Sequence, residues 1–183
     1  PYGAAKASAS LIAKNYRDSY GIFVCTGFLF NHESSLRESR FVTQKIVVGA
    51  KNIVAGSADK LIVGNLDIVR DWGWVKEYAE GIYKITQKKP NDVIIATGKY
   101  FKLRDLIEYA YNFFSLNWQD FVVQTNKLKR PQEIREVKVN TKLTQNKIGW
   151  KAKTDGKKVI LKLIKYIVNS EKHRFSISNQ YNY

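Results

Sequence analysis

The sequence predicts an α/β protein, because helix-like and strand-like patterns alternate along most of the chain. Residues 3–20 carry apolar side chains at helical spacing, and Gly21 is suited to end that helix. Residues 22–30 follow as an uncharged run rich in aromatic and β-branched side chains, which is typical of a strand covered on both faces. A helix, a glycine and a buried strand in succession indicate one helix–strand unit of a doubly wound sheet.

The remaining segments continue this alternation. Polar residues 31–40 are predicted to form a loop at the end of the strand. The next elements, in order, are a helix at 41–54, a strand at 60–65, a helix at 72–88 capped by Asp71, a strand at 92–98, a helix at 101–114, a strand at 121–125 and a helix at 157–168. The turn at 148–150 is predicted to bury Trp150, and residues 170–183 are predicted to be a polar tail.

Composition limits the class of protein. The 183 residues are 44% hydrophobic and 26% charged, as in ordinary folded domains. No apolar run approaches the length of a membrane span and no leader opens the chain, so a cytoplasmic protein without membrane contact is predicted. The lone Cys25 excludes an internal disulfide framework and most zinc sites, and no metal site is predicted. Because the chain opens Pro-Tyr-Gly and lacks methionine, we expect it to be a piece of a longer protein.

The chain is strongly basic, with 31 Lys and Arg against 16 Asp and Glu. Residues 120–183 hold 15 basic and 5 acidic side chains, a net charge of 15 − 5 = +10. Such an excess can form a nucleic-acid surface, can decorate a solvated surface, or can place a few cations on a phosphate-bearing ligand. No RNA-binding motif or zinc-knuckle spacing supports the first interpretation, so nucleic acid is not the expected partner.

Two groups of residues could carry chemistry. Tyr2 and Lys6 are four residues apart, which places them on one helix face, and an ammonium beside a phenol stabilises the phenolate. The pair could shuttle a proton, although one such spacing is also expected by chance. Asn31 and His32 follow a predicted strand, where open α/β sheets bind ligands, although a lone histidine is as often structural.

Cations elsewhere have a structural and a functional interpretation. Arg70 precedes a predicted helix start and could face a diphosphate. Arg130 and Glu133 lie in an extended turn that could equally be a surface loop. No glycine-rich dinucleotide or phosphate-binding loop occurs in the sequence. The first half of a doubly wound nucleotide domain is therefore absent from these residues.

Several of these motifs together resemble a known family. The run 1–6 (PYGAAK) resembles the catalytic helix of extended short-chain dehydrogenase/reductases. Among these enzymes, the chain resembles the GDP-mannose 4,6-dehydratase family over about residues 1–155. The motifs that carry this resemblance are LFNHES at 29–34, FVTQKI at 41–46, GNLD at 64–67, RDWG at 70–73, IATG at 95–98, RPQE at 130–133 and IGW at 148–150.

The resemblance implies the C-terminal part of a Rossmann-like sheet plus a smaller α/β substrate-binding domain. It assigns residues 1–32 and 66–90 to the edge of the NADP domain, and residues 33–65 and 91–169 to the GDP-sugar-binding domain. The family converts GDP-mannose to a 4-keto-6-deoxy sugar with NADP, and it forms dimers or tetramers. It also implies roles for individual residues: Tyr2 and Lys6 would be catalytic and touch the cofactor together with His32 and Arg37, whereas Asn31, Val42, Lys45, Arg70, Arg130 and Glu133 would bind the substrate.

The sequence also departs from the family. The catalytic threonine and glutamate and the glycine-rich loop would precede Tyr2, so we predict that these residues alone neither hold NADP tightly nor turn over. Glu33 is not expected to replace the missing acid. Residues 35–38 differ from the family's Pro-Arg-Arg-Gly, and Trp74, Lys102 and Ala152 stand where histidine, serine and proline are usual. A GDP-heptose dehydratase, an epimerase or reductase, a basic nucleic-acid module and a non-catalytic remnant remain alternatives.

Overall fold

The computed structural model describes residues 1–128 and 133–178, with side chains up to residue 169. Helices and short strands alternate along these residues. They are α1 (Tyr2–Tyr20), β1 (Gly27–Leu29), β2 (Asn31–Glu33), α2 (Val42–Val54), β3 (Leu61–Val63), β4 (Val69–Trp74), α3 (Val75–Thr86), β5 (Val93–Ile95), β6 (Tyr100–Lys102), α4 (Leu103–Phe113), α5 (Trp118–Phe121), β7 (Val122–Gln124), a 3₁₀ turn (Asn126–Leu128), α6 (Lys142–Ile148) and α7 (Gly156–Ser178). The predicted α/β class is confirmed.

Parallel pairing dominates the sheets. Strand β1 pairs in parallel with β5, β2 with β4, and β3 with β7, whereas β6 lies antiparallel to β4. Parallel pairs need crossover helices, which α2 and α3 supply between the strands. Asn31 is opposite Trp72 and His32 is opposite Gly73, so two of the sequence motifs meet on neighbouring strands.

The apolar residues form two cores. The larger core joins α2, α4 and α7 around β3 and the end of β4, with Ile46, Leu106 and Leu163 fully buried. The smaller core packs α3 and α6 against β5, with Tyr78 and Trp150 at its centre. Gly149 adopts a left-handed conformation (φ 64°) at the end of α6, and Trp150 turns inward there, as predicted.

Several sequence predictions differ from the structure, including the loop predicted at 31–40, whose first residues form β2. The strand predicted at 22–30 extends only over Gly27–Leu29, and Phe28 and Leu29 are exposed because both border the open space between β1 and α1. The helix predicted to start at 72 starts at Val75, since residues 69–74 pair in a sheet. The last helix continues to Ser178, so residues 170–178 of the predicted tail are helical.

Strand pairing in the structure crosses the predicted domain boundary. Strand β5 falls in the range expected for the GDP-sugar-binding domain, yet it pairs with β1 of the range expected for the NADP domain. Helix α6, from the same range, packs on β5 and adds Ile148 to the smaller core. Sheet pairing, rather than sequence order, therefore brings these segments together. The assignment of two functional domains stays a prediction.

Candidate functional site

Tyr2 and Lys6 share one face of α1, as their spacing predicts. The Lys6 ammonium nitrogen lies 5.6 Å from the centre of the Tyr2 ring. Both side chains border a cleft of about 760 Å³ between α1 and the chain that leads into β1. The α1 side of the cleft is otherwise small, with Gly3, Ala7 and Ser10, and the opposite wall runs from Cys25 to Leu29. A flat ligand can therefore approach the phenol and the ammonium from one side.

The segment after β1 holds the predicted cofactor residues. His32 is half-buried; its Nδ1 lies 2.8 Å from the Phe30 carbonyl oxygen, and its ring lies 5.1 Å from the Tyr78 ring. The Arg37 guanidinium donates to the His32 carbonyl (2.7 Å) and stacks on the Phe41 ring at 3.8 Å. Both residues are thus tied to the chain that forms this edge, and any cofactor contact would use their remaining faces.

Glu33 is an acid kept in the protein interior. It is 3% exposed, and its carboxylate lies 3.2 Å from Arg37 Nε. Burial raises the pKa of the Glu33 carboxyl, while the charge of Arg37 acts in the opposite direction. Because the group is enclosed and already paired, the structure gives it a positioning role for the loop around Arg37.

Asp71 is a second buried acid, and it lies on β4, the strand that pairs with β2. Its carboxylate accepts hydrogen bonds from the backbone N–H groups of Thr97 (3.0 Å) and Gly98 (2.7 Å). The sequence suggested that Asp71 caps a helix, and this prediction is wrong. Its carboxylate instead fixes the turn after β5, where Gly98 has φ 74°. Burial raises the pKa of the Asp71 carboxyl. The nearer of the two backbone donors is 26 residues from Asp71 along the chain, so the local sequence does not reveal these hydrogen bonds.

Three predicted substrate residues lie near β3 and β4. The Lys45 ammonium donates to the Ile62 carbonyl (2.8 Å), and the Arg70 guanidinium donates to the Val69 and Arg135 carbonyls at 2.8 and 3.2 Å. Glu133 accepts a bond from the Asn65 side chain at 3.0 Å. The bridge between Val69 and Glu136 lays the segment after residue 132 along β4.

The other predicted substrate residues are less constrained. Asn31 is exposed on β2, and Val42 is half-buried in the first turn of α2. Arg130 lies outside the described residues. The structure thus brings Arg70 and the backbone near Glu133 together on β4, and it places Tyr2 and Lys6 at a separate cleft beside β1.

In the described part of the chain, no group of three or more His, Cys, Asp and Glu side chains is arranged to hold a metal ion. Among the described helices, none combines the length and the apolar character that a bilayer span requires.

A family model described as GDP-mannose 4,6 dehydratase matches residues 1–163. The curated relatives include GDP-mannose 4,6 dehydratase 1 of Arabidopsis thaliana, which is 34% identical over 165 residues that cover 90% of this chain and 46% of the relative. GDP-mannose 4,6-dehydratase of Vibrio cholerae serotype O1 is 47% identical over 111 residues, covering 60% of this chain and 30% of the relative. The chain spans about half the length of the first curated relatives it matches.

Solved structures share the fold. RMD from Pseudomonas aeruginosa, complexed with NADPH, superposes with a TM-score of 0.79 at 21% identity, over 91% of this chain and 55% of that one. dTDP-glucose 4,6-dehydratase from Bacillus anthracis, in complex with NAD, gives a TM-score of 0.79 at 19% identity, over 94% and 53%. At these identities the likeness shows the Rossmann-like fold alone.

Proposed function

Because this chain belongs to the GDP-mannose 4,6-dehydratase family, we propose that it forms the sugar-binding half of an NADP-dependent dehydratase that acts on GDP-mannose. The family resemblance that the motifs predicted is confirmed. One observation carries the assignment of chemistry: Tyr2 and Lys6 flank an open cleft whose opposite wall runs from Cys25 along β1 to Leu29. Strand β1 belongs to a parallel pair, and open α/β sheets bind nucleotides beyond the carboxyl ends of such strands.

The residues at the cleft fit one end of a dinucleotide. Gly3 has no heavy atom within 4 Å of where a Cβ would stand, so a ring can approach α1 closely. Lys6 would donate to the ribose hydroxyls, and His32 and Arg37 would contact the cofactor from the β2 side. The pyrophosphate would depend on residues outside this chain, since no glycine-rich loop occurs in it. When bound, NADP supplies a hydride acceptor and donor.

The chain's own groups would then move protons and hold the substrate. The deprotonated Tyr2 oxygen would take the proton from the sugar 4-hydroxyl, with the Lys6 ammonium lying beside the Tyr2 ring. Lys45 and Arg70 supply positive charge for the GDP diphosphate, and Glu133 accepts from a ligand donor. Asn31, Val42 and Arg130 are proposed to complete the pocket. Elimination of water needs an acid–base pair that these residues do not include.

The turnover test joins this chain to the first half of the Arabidopsis thaliana relative. We expect the fused protein to convert GDP-mannose to a product lighter by one water, and Tyr2→Phe to lower the rate by at least about 100-fold, within the range attributed to proton transfer. Lys14→Gln, which removes a charge elsewhere on α1, is the matched control. A fused protein that binds NADPH but leaves Tyr2→Phe fully active would contradict the proposal.

The chain alone gives a second test. We expect no product from the 183 residues with GDP-mannose and NADP, because the upstream acid and cofactor loop are missing. Product from the isolated chain would overturn this prediction. A heptose derivative offered beside GDP-mannose tests the alternative substrate, and retention of the 6-hydroxyl in the product would indicate epimerase or reductase chemistry. A cytoplasmic location and an oligomeric enzyme remain part of the proposal.

A further inference from the structure

Helix α1 carries the candidate catalytic pair, and within the described residues its large apolar side chains are exposed. None of its residues is buried in the described chain. Leu11, Ile12, Tyr16 and Tyr20 are between 50% and 71% exposed. Isolated helices of this length are marginal in water, because most helical stability in proteins comes from packing an apolar face. Within the described residues, α1 is joined to the rest of the chain through polar contacts near its C-terminal end.

One set of contacts near the end of α1 meets that need. The Arg17 guanidinium donates two parallel bonds to the Asp92 carboxylate, at 2.7 and 2.8 Å. It also donates to the Val24 carbonyl at 3.2 Å, and the Asp92 carboxylate accepts from the Thr26 backbone N–H at 3.0 Å. This Arg17–Asp92 pair joins α1, the segment before β1 and the start of β5.

The pair is directional and partly shielded. The side chains of Arg17 and Asp92 are 16% and 29% exposed, whereas those of Lys14 and Asp18 on the same helix are 57% and 50% exposed. Hydrogen bonds from Arg17 lower the pKa of Asp92 to about 2. A two-point fork fixes an angle as well as a distance, which a single lysine contact cannot do.

The location of the pair makes that angle matter. Arg17 is 15 residues from Tyr2 along α1, or about 22 Å at 1.5 Å per residue. A tilt of about 10° at the pair would move the Tyr2 end by about 4 Å. Displacements of about 1 Å at a reacting group can cost about 100-fold in rate.

Resting on the function proposed above, we propose that Arg17 and Asp92 are positioning residues that set the angle of α1 and so hold Tyr2 and Lys6 at the cleft beside β1. Neither residue touches the cleft surface that would receive the ligands. Their effect on the reaction passes through the helix. No sequence motif marks either residue as part of a site.

Hydrogen exchange of the ligand-free chain tests the proposal directly. In Arg17→Gln we expect backbone amides of α1 to exchange at least about 10-fold faster, while amides of α4 in the larger core are unchanged. Alkylation of Cys25, which lines the cleft, should accelerate in the same variant. Lys14→Gln is the matched control and should change neither rate. Arg17→Lys should recover only part of the protection.

A double variant and a kinetic measurement complete the test. Asp92→Asn should match Arg17→Gln, and the two together should be no worse than either alone, because the same bonds are lost. In the fused enzyme, Arg17→Gln should lower kcat at least about 10-fold with little change in KM. Unchanged exchange in Arg17→Gln overturns the proposal. Faster exchange in an inactive fused enzyme would instead uphold the positioning role and count against the proposed function.

Discussion

Gly73 gives the sharpest test of how the site is supported. A Cβ at this position would lie 2.3 Å from Tyr78 Cε2 and 2.7 Å from the Tyr78 hydroxyl oxygen. The Tyr78 ring cannot move aside easily, because it is fully buried and contacts both the His32 and the Trp150 rings. Overpacking of this kind lowers the free energy of unfolding by about 1–3 kcal/mol. Because the Tyr78 ring is enclosed, we expect Gly73→Ala to cost about 3 kcal/mol.

That cost should appear as a lower melting temperature. For a chain of this size, about 3 kcal/mol corresponds to a decrease of about 6–12 °C. Scanning calorimetry and urea unfolding would measure it. Gly3→Ala is the control: it adds a methyl to a helix with no atom within 4 Å, and it should stabilise by about 0.5–1 kcal/mol.

The Tyr78→Leu background isolates the cause. That variant is destabilised by itself, but adding Gly73→Ala should then cost far less than it does beside tyrosine, since the clashing ring atoms are gone. An unchanged midpoint for Gly73→Ala, or an equal loss in both backgrounds, would refute the argument that Tyr78 occupies the space of the missing Cβ.

Three further outcomes are expected. Asp71→Ala leaves two backbone N–H groups without their acceptor and should lower the free energy of unfolding by about 2 kcal/mol in urea titrations; an unchanged value would contradict the role given to the carboxylate. Because the pKa of Asp92 is lowered to about 2 in the folded chain, its stabilisation is present above about pH 4 and is lost as pH falls toward 2. After allowance for partial exposure, this amounts to about 1–2 kcal/mol and should vanish from the pH profile of Asp92→Asn. Trp150→Phe removes the donor to the Glu77 carbonyl (3.0 Å) and should cost about 1–2 kcal/mol in thermal unfolding, whereas no loss would show that this bond is dispensable.

The helices were accessible from sequence because their periodic patterns are long. Helix α2 was predicted to within one residue at its start, and α1 ends at Gly21 as the pattern required. Helix α6 was missed because its seven residues contain few apolar positions. A periodic pattern of apolar residues must extend over several helical turns before it can be distinguished from a chance arrangement.

The short strands and the buried polar contacts were not accessible. Strands β2 and β6 have three residues each, and β2 consists of polar residues whose pairing with β4 is the only sign of a strand. Asp71 was assigned to a helix cap because a local rule fitted, although its partners are 26 and 27 residues away. Long-range partners of this kind, including Asp92 for Arg17, depend on tertiary structure.

The family resemblance located candidate residues that physics alone could not rank. About one Tyr-x-x-x-Lys spacing is expected by chance, so Tyr2 and Lys6 gained significance only when the motifs around them were considered together. The structure then showed both side chains at one cleft, while Lys45 and Arg70 lie near other strands. Their functional roles are predictions that ligand binding can test.

Ligand titration of the isotope-labelled chain tests the central claim most directly. In nuclear magnetic resonance spectra, GDP-mannose should shift the backbone amides near Lys45, Arg70 and Glu133 in a saturable way, and UDP-glucose should shift them less. Substituting Arg70→Gln should weaken the response. Absence of saturable shifts at these positions, or equal shifts from both nucleotides, would contradict the assignment of this chain as the GDP-sugar-binding half of a dehydratase.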